Sequence, residues 1–547
     1  MGLKRILITI NVVLAGGALL LAAAAPPAAA SSKQISIFQD DAQLFANPAG
    51  TLANLRLLGA QVVRVSVHWD GIAPSPNSVR RPRGFRAVNP AAYPRGAWSI
   101  YDKIDRLARS YGVQLYFQLD NGAPRWAQGP GQPPHPSSHP GWEPSPGEFG
   151  AFVHAVGVRY SGNYRPTGTS APLPRVSFWS VWNEPNYGFE LSPQGVPGHV
   201  AIENSPRLYR NVLDAGWAGL QQTGHGQDTI LFGDLGPRGG TWGVFQSMKP
   251  LVFLRALYCV DSRYHQLRGS AAAIRGCPTT SAGSRRFRTQ HPALFAASGL
   301  AEHMWMRWYP PNREAQPDPD NASLAETGNL VSALDRLQGA YGSRARLPVY
   351  DTEFGYVTNP PNTSTIRQAG APPVRYPSPT IAAYYLNWAE YISWKNPRVM
   401  SFDEYLLRDP PPFSKPYVSW SSGLLGWQRG VPKVTYAAWR LPLYLPVTSG
   451  RLGKSLEVWG CVRPATYAFL DTGLRQVADI QFAPRGSASF TTVQQVTVSS
   501  SGICYFDLLL KFPTSGSIRL TYTYPSSDPL LPAGYTIYSR PISITLH

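Results

Sequence analysis

The sequence predicts an α/β chain: a (β/α)8 barrel of the TIM type followed by a C-terminal all-β sandwich. Three observations predict it. Between Ile35 and Leu445, short β-type runs alternate with helix-like stretches, as βα units around a parallel sheet do. There are eight such runs, the number that closes a barrel. After about Pro446 the alternation gives way to β-rich segments separated by turn residues, the pattern of a sandwich. At 547 residues the chain also exceeds one ordinary core, since domains run to roughly 100 to 200 residues. The expected division is a leader over 1–30, a barrel over 31–447 and an Ig-like accessory sandwich over 448–547.

The leader comes first. Lys4 and Arg5 precede an apolar run to Ala25, and Ala28, Ala29 and Ala30 stand before Ser31. This order of charge, apolar core and small residues marks a secretory signal peptide cleaved after Ala30. An uncleaved anchor is the alternative, because Ile6 to Ala25 approaches the ~20 residues that span a bilayer. Once cleaved, the chain is expected outside the cell with no stable membrane association.

The eight runs follow in order: ISIFQ (Ile35 to Gln39), VVRVSV (Val62 to Val67), VQLYFQL (Val113 to Leu119), VSFWSVW (Val176 to Trp182), TILFGD (Thr229 to Asp234), LAEHM (Leu300 to Met304), PVYDTEF (Pro348 to Phe354) and VMSFDEY (Val399 to Tyr405). Helices are expected between them at Tyr101 to Tyr111, Pro206 to Gln222, Ala325 to Tyr341 and Thr380 to Lys395. In the first of these, Ile104, Leu107, Ala108 and Tyr111 share one face at helical spacing. The fifth connection is long and holds Cys259 and Cys277. In the C-terminal region SLEVWGCV, TYAFLD, QVADIQF, FTTVQQVTV, CYFDLLLKF, SIRLTYTY and YTIYSR read as strands.

The four cysteines suit two local disulfides of an exported protein, Cys259–Cys277 and Cys461–Cys504, although four cysteines by themselves allow three connectivities. Metal binding by them is disfavoured, because no CxxC or His-rich spacing accompanies them. The net charge of +18 is spread over dispersed Arg residues with no basic helix or RNA-binding signature, which argues against nucleic acid. Attraction to an anionic cell wall or an acidic polysaccharide fits that charge.

The chemistry concentrates at two strand ends. WSVWNEPNYG carries Asn183 and Glu184 out of the fourth run, and LPVYDTEFGY carries Glu353 out of the seventh. Barrel strands deliver such side chains to the C-terminal face, where these folds place their sites. Two carboxyl groups facing each other there would flank a glycosidic bond. At a separation of ~5 to 5.5 Å, one attacks the anomeric carbon while the other protonates the leaving oxygen.

With these residues the chain resembles the clan A glycoside hydrolases, and most closely the family 39 β-xylosidase and related arabinosidase group, over roughly Ile35 to Leu445. The resemblance implies that Glu184 of Asn183-Glu184-Pro185 is the acid/base and Glu353 the nucleophile of a retaining hydrolase. It further implies that Arg64 supports the nucleophile and that Asn183 binds the sugar 2-hydroxyl. His303 fits a position that lines the substrate, but Met304 and Trp305 stand where the group has Pro and Tyr, and Asp403 and Glu404 where many relatives have Trp. Trp69, Trp126, Trp182, Tyr187, Trp242 and Trp308 lie at or after strand ends, where aromatic faces stack on sugar rings or pack in the core.

The expected substrate is an oligo- or polysaccharide, with no cofactor and no metal. Transglycosylation by the same residues and a non-catalytic carbohydrate- or cell-wall-binding barrel are the alternatives. Sugar identity, linkage and oligomeric state are not written in the sequence.

Overall fold

The computed structural model describes residues 31–547 apart from 32, 121, 132–140, 315, 359–364, 367–373, 412–419 and 499–503. The expected leader therefore lies outside the described residues. Among those described, no helix is long and apolar enough to cross a membrane.

All eight runs form strands of one parallel sheet: β1 (Ile35–Gln39), β2 (Val62–His68), β3 (Gln114–Asp120), β4 (Phe178–Val181), β5 (Thr229–Leu235), β6 (Gly299–Glu302), β7 (Val349–Asp351) and β8 (Ser401–Tyr405). Their order is β8-β1-β2-β3-β4-β5-β6-β7. The ring closes where Val349 bridges Val399 in parallel, with Met400 N donating to Val349 O at 2.8 Å. The chain is a (β/α)8 barrel. β7 is shorter than its run because the backbone leaves the ladder after Asp351, just before Glu353.

The period of two along a strand explains how the barrel is filled. Ile37, Val62, Tyr116, Phe178, Leu231 and Ala301 form an apolar layer inside it, with Ile35 and Tyr350 packed against them. Two residues further along six strands, the same direction is taken by Gln39, Arg64, Gln118, Ser180, His303 and Thr352. A polar layer thus lies directly on the apolar one. β5 breaks the period, since its register with β6 shifts between Gly233 and Leu235, and the extra residue turns Asp234 inward.

Outward-facing side chains pack under helices that include α1 (Pro48–Leu58), α2 (Ser99–Ser110), α3 (Pro146–Arg159), α4 (Ser205–Gln222), α5 (Thr327–Ala340) and α6 (Pro379–Lys395). Their starts follow the local chemistry. Ser145 and Ser378 each accept a backbone N–H at the first turn, and Pro stands at the head of α3 and α6, where its missing donor costs nothing. The fifth connection contains the Cys259–Cys277 disulfide.

The last helix of the barrel region, α7 (Val434–Arg440), leads into two sheets, antiparallel except where Ser449–Gly450 runs parallel to Ile542–Leu546. One joins Leu443–Tyr444, β9 (Leu456–Cys461) and β12 (Tyr505–Leu510). The other holds Ser449–Gly450, β15 (Ile542–Leu546), β13 (Gly516–Thr523), β10 (Gln476–Pro484) and β11 (Thr491–Val498), with β14 (Thr536–Tyr538) on β13. The Cys461–Cys504 disulfide staples the paired ends of β9 and β12.

One run is not a strand. TYAFLD lies in helix α8 (Arg463–Thr472), begun by Pro464 in its first turn and ended by Gly473 at φ 67. Pro at the start and Gly just past the end are helix punctuation that outweighs the alternation of aromatic residues. β15 lies beyond the last of the seven runs.

The barrel and the C-terminal region share buried contacts. Arg463 of α8 pairs with Glu390 of α6 at 2.5 Å and lies 3.8 Å from the Trp439 ring of α7. Tyr505 donates to the same Glu390 at 2.9 Å, and Tyr467 to Ala60 O at 2.6 Å.

Candidate active site

The polar layer converges on Arg64. Inside β2 and fully buried, it donates to Glu353 Oε1 at 2.6 Å, to Asn183 Oδ1 at 3.2 Å and to Gln39 Oε1. Asp234 Oδ1 lies 3.6 Å away. Burial opposes the guanidinium charge, but Asp234 and Glu353 overcome it and hold its pKa well above the ordinary value. A buried cation is retained only with such partners.

Asp234 is the second hub. Its carboxylate accepts from Thr352 Oγ1 at 2.7 Å, from Tyr116 OH at 3.3 Å and from Ser180 Oγ. Burial would raise its pKa, yet Arg64, His303 and Ser180 bring it down to about 2. Asp234 was absent from the expected site. Gln39, Gln118, Ser180 and Thr352 were absent too; the signal for these four is a polar residue in the inward phase of a barrel strand, whereas Asp234 is out of phase by one residue.

Glu353 follows β7 and takes a second donor from Trp305 Nε1 at 3.4 Å. Glu184 follows β4, with its backbone N bonded to Asp234 O at 2.8 Å. His303 Nδ1 lies 2.9 Å from Glu184 and 3.4 Å from Glu353, between the two. Burial pushes the imidazole pKa down, but Glu353, Asp234 and Glu184 together raise it well above its usual value. One oxygen of Glu184, one of Glu353 and a nitrogen of His303 lie within 4.8 Å of one another. That spacing would admit a metal ion, but Arg64 already supplies a permanent cation against Glu353.

Asn183 directs its amide by elimination. Its oxygen accepts from Gln118 Nε2 at 2.6 Å and from Arg64, which leaves the nitrogen as the end available to a ligand. Trp182, Glu184 and Asp234 hold φ of 73°, 36° and 45°, a conformation that non-glycine residues rarely take and that clusters at functional sites.

The structure therefore brings together Arg64, Asn183, Glu184, His303, Trp305 and Glu353. Tyr187 stands beside them with its ring against Gly236, where a Cβ would come within 2.2 Å of Cζ. Trp69 lies elsewhere: it is 1% exposed and packs on Phe149 and Phe152. Trp126 joins that cluster, donating to Pro74 O at 3.0 Å. Asp403 is fully buried and accepts from Phe354 N at 3.2 Å, so it fixes the backbone next to Glu353 from below. Trp182 is buried as well, whereas Trp242 and Trp308 are half-buried. Trp420, not among the expected residues, lies 5.0 Å from Trp305, and Tyr405 5.5 Å from it.

No protein-family model and no curated protein matches the chain. Solved structures do match. One is a family 39 glycoside hydrolase from the gut symbiont Bacteroides cellulosilyticus WH2, at 12% identity over 88% of this chain and 80% of that one, with a TM-score of 0.43. A family 1 β-glucosidase from Thermotoga maritima matches at 14% identity over 72% and 85%, TM-score 0.41. An endo-β-1,4-mannanase from Thermotoga petrophila matches at 12% over 94% and 97%, TM-score 0.39. At such scores the likeness decides no activity, which rests on the chain's own geometry.

Proposed function

We propose that this chain is an exported retaining glycoside hydrolase. The observation that carries the reading is the pair of carboxyl groups at the ends of β4 and β7, with oxygens within 4.8 Å of each other. Retaining enzymes hold theirs ~5 to 5.5 Å apart, whereas inverting enzymes leave ~6.5 to 9.5 Å for a water between them.

Glu353 is the nucleophile. Arg64 and Trp305 fix its two oxygens from separate directions, so one lone pair is aimed at the anomeric carbon. As the carbon–oxygen bond breaks, Glu184 gives a proton to the leaving oxygen. That proton resides on the Glu184–His303 pair, because the imidazole stays charged. The resulting glycosyl ester on Glu353 removes one of the negative charges that hold the His303 proton. Glu184 then takes a proton from water, and the hydroxide attacks the anomeric carbon and frees Glu353. Asn183 Nδ2 donates to the 2-hydroxyl, a bond that tightens in the transition state. The two disulfides suit an exported protein, and the buried ties of α8 to the barrel suit a bracing role for the C-terminal region.

A panel of activated 2-fluoro glycosides, followed by peptide mass mapping, tests this. One sugar is expected to label Glu353 stoichiometrically. A label on another residue, or full turnover by Glu353→Gln, would overturn the assignment.

A further inference from the structure

We propose that Arg307 makes this site selective for an anionic sugar, by pairing with a carboxylate or ester oxyanion of the substrate. The inference rests on the hydrolase reading above and names the substrate class.

Arg307 lies in the loop after β6, two residues beyond Trp305. Its guanidinium carbon is 5.8 Å from the Trp308 ring and 6.0 Å from the Trp420 ring. Trp420 in turn lies 5.0 Å from Trp305, which bonds Glu353. The Arg307 backbone is bridged to Tyr356, and its carbonyl accepts from Val357 N at 3.1 Å. The cation therefore belongs to an aromatic frame that reaches Glu353 through Trp420 and Trp305. Its charge, like that of Glu184, bears on Tyr187.

Arg307 differs from Arg64 and Arg238 in lacking a counter-charge. The neighbouring Arg64 pairs with Glu353 and Arg238 with Glu314. Among the described residues no carboxylate lies within ion-pair distance of Arg307, and its buried Nε has no hydrogen-bond partner. The segments 359–373 and 412–419 contain no Asp or Glu. A partly desolvated guanidinium is costly unless paired, and its planar fork of donors matches carboxylate, sulfate and phosphate oxygens. A neutral sugar leaves that fork empty. Trp420 is 41% exposed, so the aromatic frame is open to solvent, and the net charge of +18 draws polyanions towards it.

The test compares matched polymers: polygalacturonate and glucuronoxylan, native and carboxyl-reduced, and chondroitin sulfate, native and desulfated. Reducing ends released are measured for the wild type, for Arg307→Gln and for Arg165→Gln, which removes an equal charge at an exposed remote position. A preference of at least about tenfold for one anionic form is expected, the value of one charge-assisted hydrogen bond. It should collapse to near unity in Arg307→Gln and persist in Arg165→Gln. The chemical treatment that abolishes it identifies the anionic group. Equal rates on matched polymers, or a preference that survives in Arg307→Gln, overturn the proposal while leaving the hydrolase reading intact. If no polymer is cleaved and no 2-fluoro glycoside reacts, that reading fails. Affinity electrophoresis in the native polymers then decides the role of Arg307. Weaker retention of Arg307→Gln than of Arg165→Gln upholds it, and equal retention overturns it.

Discussion

Arg64 is one residue doing two jobs that separate experimentally. It neutralises Asp234 within the barrel and orients Glu353 at its mouth. On the proposed mechanism, Arg64→Met is expected to lower kcat/KM by roughly 100-fold or more by misplacing Glu353, and to lower stability because it strands a buried Asp234 carboxylate, a loss of about 3 kcal/mol. Steady-state kinetics on the sugar identified by labelling, beside a thermal melt, reads both. His303 makes a different prediction. Its proton is held by three carboxylates, so the alkaline limb of the kcat/KM profile should lie well above the ordinary imidazole value of about 6.5. A limb centred there would contradict the shared proton. At this scale the sequence exposed the residues that end strands in acidic or amide side chains, Asn183, Glu184 and Glu353. It concealed Asp234, which sits in an unremarkable FGDL, because its role depends on partners 54 to 170 positions away in the chain.

β5 explains that concealment. Strand identity was legible from β-branched and aromatic runs, because a parallel strand covered on both faces has little choice of composition. The register slip that turns Asp234 inward was not, since a bulge leaves the composition of its strand almost unchanged. Its visible trace is Gly233, at φ 108 with a would-be Cβ 2.6 Å from Ala301 O. Gly233→Ala is therefore expected to cost about 2 kcal/mol or more and to depress activity, as Asp234 loses its place under Arg64. A melt unchanged from wild type would show that the slip is not imposed by this glycine. α8 shows the opposite case: its punctuation is written in Pro464 and Gly473, and it outweighs the alternation of aromatic residues.

Over the whole molecule, the contact of α8 with α6 and α7 makes the C-terminal region and the barrel depend on each other. Arg463→Met leaves Glu390 buried with only the Tyr505 hydroxyl for company, and a loss of about 3 kcal/mol is expected. Differential scanning calorimetry should show both regions melting earlier; an earlier melt of the C-terminal region alone would mark it as a tethered module. Stability should also depend on pH in a definite direction. Burial raises Asp351 and Asp105 to about 8, so the folded state favours their protonated forms. Their contribution is complete below the unfolded value of about 4 and is lost as pH rises through about 8. Asp234, lowered to about 2, contributes above about 4 and loses its effect as pH falls through 2. Melting temperatures are expected to be higher at pH 5 than at pH 8.5, by about 2 °C or more, and a flat profile would contradict the burial of these carboxyls.

Glu184 and His303 hang from consecutive carbonyls, those of Asp234 and Leu235, at 2.8 and 2.9 Å. Any redesign of this site inherits that coupling. Insertions after β5 would drag Glu184 and His303 together, away from their places beside Glu353. Arg307 and Trp420, further along the chain, bond to neither carbonyl, and these are the positions where libraries can be varied without displacing Glu184 or His303.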